Sequence, residues 1–228
     1  MTKTLISPPA RLSAAERRRR ILETAVQVYA QHGFHQTGMR QLCAALGMSA
    51  GALYRYFPGK EAIIAGLVEM DRESVQQNLR GLPAEMGFLA TLQHMMDLTL
   101  EQLKADAGLL AIWSEISSEA TRNPAVATLL SNHYKTIEGL LANLVRSALK
   151  RGELNPGLDP LATARFMMAT HDGMLTRRAI DSDYPLKKVA ADNLALLARA
   201  IMASPPATSS KDKRIAPKLA GESGRKKH

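Results

Sequence analysis

A disulfide within the chain is impossible, because Cys43 is the only cysteine in 228 residues. A reducing compartment, the cytoplasm, is therefore expected. Aromatic residues are scarce at 4%, while Ala, Leu and Met are plentiful and apolar residues reach 46%. That balance disfavours a β-sandwich or barrel and favours a large all-helical core. No apolar run approaches the roughly 18 residues of a membrane span, and no continuous apolar stretch near the start suggests a signal peptide. HxxxH and CxxC spacings are missing. No metal, cofactor or catalytic residue is predicted, and the chain is not expected to be an enzyme.

Positive charge is abundant, and its distribution is more informative than the net +9. Between Arg11 and Lys60, eight basic residues face only Glu16 and Glu23, leaving +6. From Pro205 onward, seven basic residues face Asp212 and Glu222, leaving +5. With Lys3 counted, positions 61–204 carry −3. A basic head on a mildly acidic body suggests a polyanion reader joined to a second module.

Helix signals run through the chain. Residues 1–12 read as a disordered basic arm. Ser13 and Glu16 form a capping box that starts a helix through His32, stopped by Gly33. Thr37 is placed to cap a helix through Leu46, Gly47 supplies a left-handed turn, and Ser49 caps a helix through Phe57. Pro58-Gly59 breaks it, and a linking helix covers 60–80. Further helices are expected over 84–105, 107–120, 124–151, 160–180 and 185–203, several opened by Asn or Asp before Pro. The predicted domains are 13–60 and 61–204, with 205–228 as a disordered basic tail. No strand is expected.

The stretch Thr37–Phe57 is two short helices around a tight turn, the geometry that sets a helix in the major groove of DNA. Leu42, Leu46, Leu53 and Phe57 would face inward. Arg40, Ser49, Ala50, Tyr54, Arg55 and Tyr56 would face out, and Lys60 could hold a phosphate. Free N–H groups at Gly38-Met39 suit a phosphate as well.

The pattern Gly33-Phe34, Thr37, Leu42-Cys43, Leu46-Gly47-Met48-Ser49, Gly51, Leu53-Tyr54, Tyr56-Phe57 and Lys60-Glu61 closely resembles the DNA-binding domain of the TetR/AcrR family of bacterial regulators. The resemblance covers about residues 14–63. It implies a three-helix helix-turn-helix head and a larger C-terminal helical domain that binds a small ligand and forms a homodimer through its last two long helices. By position it makes Thr37, Arg40, Tyr54, Tyr56 and Lys60 DNA-contacting. Cys43 stands where Ala is common, and Tyr56 where His is frequent. Cys43 reads most simply as a small buried side chain.

In the body, pocket candidates are His94, Met95, Leu98 and Gln102 on one face, then Trp113 and Glu115, then His133, Tyr134 and Ile137, then Phe166, Met167 and Thr170. A Met-rich wall bearing a Trp suits a lipophilic or aromatic ligand. His171-Asp172-Gly173 reads as a helix that packs closely at Gly173. The dimer face is expected from Leu161, Ala164, Phe166, Met168, Leu175, Val189, Leu194, Leu197 and Ile201, two helices per subunit forming a four-helix bundle. The resulting expectation is a repressor released from a pseudo-palindromic operator by a small effector. The alternatives are an activator or co-regulator of the same fold and, distantly, a helical metal hydrolase built on His94, His133 and Glu115.

Overall fold

The computed structural model describes residues 12–34, 36–83, 85–106 and 108–202. The predicted arm (save Leu12) and basic tail lie outside them. Among the described residues the chain forms α1 (Ala14–His32), α2 (Met39–Leu46), α3 (Ala50–Tyr54), α4 (Lys60–Arg80), α5 (Phe88–Ala105), α6 (Gly108–Ala120), α7 (Pro124–Lys150), α8 (Pro160–Ile180) and α9 (Leu186–Ile201). They hold no strand, only an isolated antiparallel bridge between Leu154 and Met202.

Local chemistry sets most boundaries. Ser13 Oγ accepts from the Glu16 N–H at 3.2 Å, and the Ser13 N–H donates back to Glu16 Oε2 at 2.7 Å. Such a box contributes about 1 kcal/mol. Asn123 and Asp159 cap α7 and α8, each followed by Pro. Four expectations need correction. Thr37 does not cap α2: Gly38 takes that position, and its N–H donates to Gln41 Oε1 at 2.7 Å. α3 stops at Tyr54, because both Tyr56 and Phe57 turn their N–H groups to the Leu53 carbonyl and Pro58 bars an α conformation before it. α5 starts at Phe88 rather than at 84, since Glu153 Oε2 takes the Phe88 N–H at 2.6 Å. α9 runs from Leu186, with Pro185 as its cap residue.

Packing joins head and body. One apolar core contains Ile21, Leu22 and Tyr29 of α1, Leu42 of α2, Leu53 of α3, Ile63 and Ile64 of α4, Ile112 and Ile116 of α6, and Val126 of α7. α6 lies so close to α1 that a Cβ on Gly108 would sit 2.5 Å from Ala30 Cβ. A second cluster at the far end joins Phe88, Val145, Leu154, Met167 and Ile201. A third joins Met174, Leu186 and Ala190.

Candidate nucleic-acid interface and effector cleft

The head is built around the turn at Gly47. Its φ of 61° and ψ of 31° lie in the left-handed region, where an L side chain is strained. The Gly47 N–H bonds the Ala44 carbonyl at 3.2 Å and the Met48 N–H bonds Cys43 at 3.0 Å, closing α2. Ser49 then opens α3, its Oγ accepting from the Ala52 N–H at 3.3 Å. Leu53 and Phe57 are buried at 0% and 1% exposure, which fixes the rotation of α3. Its outer face therefore carries Ala50, Tyr54 and Arg55, all exposed, with Tyr54 at 48%. Gly38 and Arg40 are exposed at the start of α2. Half-buried Tyr56 has the Arg55 guanidinium 6.0 Å above its ring.

Two of the residues expected to contact DNA are engaged within the head itself. Thr37 is completely buried, and its Oγ1 has no partner among the described residues, so its side chain is part of the head's interior. The Lys60 ammonium donates to the Phe34 carbonyl at 2.5 Å and lies 4.7 Å over the Phe34 ring. It ties the start of α4 to the turn after α1. Burial pulls its pKa below the ordinary lysine range, with Glu119 and Glu61 opposing that shift. Of the four arginines in α1, Arg18 stacks on Phe57 at 5.1 Å and Arg19 pairs with Glu23 at 3.1 Å. Cys43 is a free, half-buried thiol packed on the core.

In the body, α4, α6, α7 and α8 bring a polar cluster together at the edge of an open cleft. His133 of α7 is 7% exposed, and its Nε2 lies 3.4 Å from Asp71 Oδ2 of α4. The Trp113 ring of α6 stacks on the His133 ring with centroids 5.6 Å apart, and the Tyr134 ring lies tilted to it at 5.8 Å. On α8, His171 Nδ1 and Asp172 Oδ1 are 3.4 Å apart. The fields of both residues reach Asp71. Burial pushes the Asp71 carboxyl up to about 6; His171 opposes the rise and the like charge of Asp172 adds to it. Burial lowers the His133 pKa, with Asp172 opposing and Arg72 reinforcing. Burial also raises the Tyr134 hydroxyl, helped by Asp172. Asp71 lies among these helices with 37% of its side-chain surface open. A solvent-open concavity of about 460 Å³ adjoins the cluster through Tyr134, with Leu130, Lys135, Glu138 and Arg165 among its lining. Another of about 370 Å³ lies between α4, α5 and the end of α7, with Leu79, Arg80, Met86 and Leu144 in its walls.

Of the twelve expected pocket residues, Trp113, His133 and Tyr134 come together, while Glu115 is half-buried on α6 and Gln102 is exposed on α5. Ile137 is buried one turn further along α7, and Met167 belongs to the distal core. Met95, Leu98 and Thr170 are half-buried, and Thr170 spends its hydroxyl on the Phe166 carbonyl at 2.9 Å. His94 is exposed on α5 and Phe166 is 60% exposed on α8. Asp71 escaped the sequence reading. Its signal was there: Ile63, Ile64, Leu67 and Val68 form the buried stripe of α4, and one turn on from Leu67 that stripe continues as a carboxylate.

The expected dimer residues divide as well. Ala164 and Ile201 are buried inside their own subunit, Leu175 and Val189 pack on the third cluster, and Leu197 packs on the second. Met168 and Leu194 are half-buried, and Leu161 is 37% exposed. The face of α8 left open is Ala162, Phe166, Ala169, Gly173, Thr176 and Ile180, and Leu196 of α9 is exposed too. The close packing expected at Gly173 is absent within the subunit: nothing lies within 4 Å of a Cβ built there.

Residues 21–67 match the family model described as bacterial regulatory proteins, tetR family, and residues 89–203 match the BetI-type transcriptional repressor, C-terminal. The HTH-type transcriptional regulator UidR of Escherichia coli K12 is 30% identical over 158 residues, which cover 69% of this chain and 79% of UidR. The solved structure of Salmonella enterica GusR aligns with a TM-score of 0.66 and 31% identity, covering 83% of this chain and all of GusR. Bacillus subtilis FadR in complex with stearoyl-CoA aligns with a TM-score of 0.71 at 21% identity, over 79% of this chain and 97% of FadR, a likeness of fold alone.

Proposed function

The chain belongs to the tetR family of bacterial regulatory proteins, and from that premise we propose that it works in the cytoplasm as a homodimeric repressor that a small lipophilic or aromatic effector releases from its operator. It is a DNA-binding transcriptional regulator and not an enzyme. The observation that carries the proposal is the single core beneath both sites. Leu42, Leu53 and Phe57 hold the outward face of Arg40, Tyr54 and Arg55, and the same cluster reaches Trp113 and Tyr134 at the cleft.

In this reading the exposed stripe Phe166–Gly173–Ile180 of α8, with Leu196 of α9, meets its two-fold copy, and small residues at 162, 169 and 173 allow close approach. The two heads then straddle half-sites roughly 34–36 Å apart. Arg40 and Arg55 contact phosphates or guanine edges, Tyr54 and Tyr56 offer hydroxyls to phosphates, and Ser49 and Ala50 come close to the groove. An effector in the cleft touches α4 and α6, which both carry the head, and favours another head spacing. A coupling of about 1–3 kcal/mol changes operator affinity some 5- to 150-fold. The test is operator affinity with and without the effector: a drop in that range supports the switch, and equal affinities reject it.

A further inference from the structure

We infer that Arg18 of α1 is a further anchor for the operator, holding a backbone phosphate at the edge of the recognition helix. This rests on the DNA-binding role of the head and adds to it a contact from α1. The Arg18 guanidinium lies 5.1 Å over the Phe57 ring. α4 is bare beside it: a Cβ on Gly66 would sit 2.8 Å from Leu22 Cδ2, 2.9 Å from Phe57 Cε1 and 3.2 Å from Arg18 Nη2. Ring and glycine form a seat that places the planar group of a long side chain before any DNA arrives. Arg18 nevertheless stays exposed. Stacking uses the face of a guanidinium and leaves the N–H donors along its edge. Those donors have no acceptor among the described residues.

The seat lies at the end of the recognition element, since Phe57 follows the exposed Tyr54 and Arg55 by three and two residues. A helix about 10–12 Å across fills a major groove about 12 Å wide, so its flanks meet the phosphate ridges. Other cations near this edge are engaged. Lys60 donates to the Phe34 carbonyl at 2.5 Å, and Arg19 pairs with Glu23 at 3.1 Å. Arg55 lies 6.0 Å over the Tyr56 ring, so the rings of two successive residues each carry a guanidinium. A weakly hydrated fork of donors that is already immobilised matches a phosphate and loses little rotamer freedom on binding it. Such a contact fixes register and affinity and reads no base.

The test uses the full-length protein and the operator that a footprint on its own genome identifies. Operator affinity is measured by fluorescence anisotropy from about 50 to 200 mM salt for the wild type, Arg18→Met, Arg18→Lys and Arg19→Met. Each phosphate contact contributes about 0.9 to the slope of log affinity against log salt, so losing one per subunit lowers the dimer's slope by about 2. Arg18→Met, which keeps a long side chain over the ring, is expected to show that drop and to bind about tenfold or more weakly, with its preference among operator variants unchanged. Arg18→Lys keeps the charge and loses the fork, so it should retain the slope and bind about 2- to 12-fold more weakly. Arg19→Met should retain the slope. Thermal denaturation separates packing from contact: a variant of Arg18 that melts lower yet keeps the wild-type slope without its charge overturns the inference. Equal slope losses in Arg18→Met and Arg19→Met overturn it as well, because a diffuse field and no seated contact would then act. Should Arg18→Met not fold, Arg18→Lys decides, and wild-type affinity in that variant overturns the inference. A missing footprint of the wild type rejects the regulator reading, whereas a footprint with an unchanged Arg18→Met slope rejects this inference alone.

Discussion

Replacing Gly108 with Ala adds one methyl group where α6 crosses α1. The new Cβ would lie 2.5 Å from Ala30 Cβ and 3.1 Å from Asp106 Oδ1. Carbon atoms rest about 3.5–4.0 Å apart, so the deficit exceeds about 1 Å. Ala30 Cβ is fixed to its backbone and cannot rotate away; the helices must separate. That movement strips contacts from Ile112 and Ile116, which are 2% and 0% exposed against α1. Overpacking of this kind costs about 1–3 kcal/mol, against a helix-propensity gain of under about 1 kcal/mol. The melting temperature should fall by roughly 2–8 °C for a chain of this size. Gly139→Ala is the matched control, because nothing lies within 4 Å of its Cβ in the middle of α7. It should gain about 0.5–1 kcal/mol and melt higher. Calorimetry or circular dichroism at one protein concentration reads both. If the two variants shift in the same direction, the tight α1–α6 crossing is wrong, and with it the argument that α6 carries the cleft's state to the head.

Asp71→Asn should stabilise the protein at pH 7.5 and not at pH 4. The folded pKa of about 6 lies above the ordinary 3.8, so between those values the folded state holds more protons than the unfolded one and stability falls as pH rises. The full shift corresponds to about 3 kcal/mol; with the side chain 37% open, screening reduces this to about 1 kcal/mol. An equal gain at both pH values refutes the assignment. Leu53→Ala should cost about 2–4 kcal/mol and abolish operator binding, whereas Tyr54→Phe should leave melting unchanged within about 0.5 kcal/mol and weaken operator binding about 2- to 12-fold. Loss of stability in Tyr54→Phe would mean that the hydroxyl serves the fold. Gly173→Leu should leave the subunit folded, since its Cβ position is empty, and turn the dimer into monomer in sedimentation; a persistent dimer places the interface elsewhere.

Signals that act within a few residues were legible in the sequence. The capping box at Ser13, the left-handed Gly47 and the Asn-Pro and Asp-Pro starts of α7 and α8 each fix an element end without distant help. The head was readable for the same reason: a turn and a cap orient α3, so burial of Leu53 exposes Tyr54 and Arg55. Failures arose where a partner comes from far along the chain. The start of α5 depends on Glu153, 65 residues away. Thr37 and Gly38 differ as caps only because the Thr37 side chain is taken up by the interior. α8 is apolar on several sides, so periodicity could not say that Ala164 and Met167 face inward while Phe166 faces out. The cleft was half legible: the aromatic residues were named, but the carboxylate of Asp71 acquires its meaning only when α7 brings His133 within 3.4 Å.

The most direct test of the regulator reading is a footprint of the purified full-length dimer on fragments of its own genome at modest ionic strength, repeated with the Arg40→Ala/Arg55→Ala variant. Protection of a pseudo-palindromic site, with half-sites one helical turn apart and lost in the variant, is the expected result. Uniform, sequence-independent protection, or a site that the variant binds equally well, contradicts it.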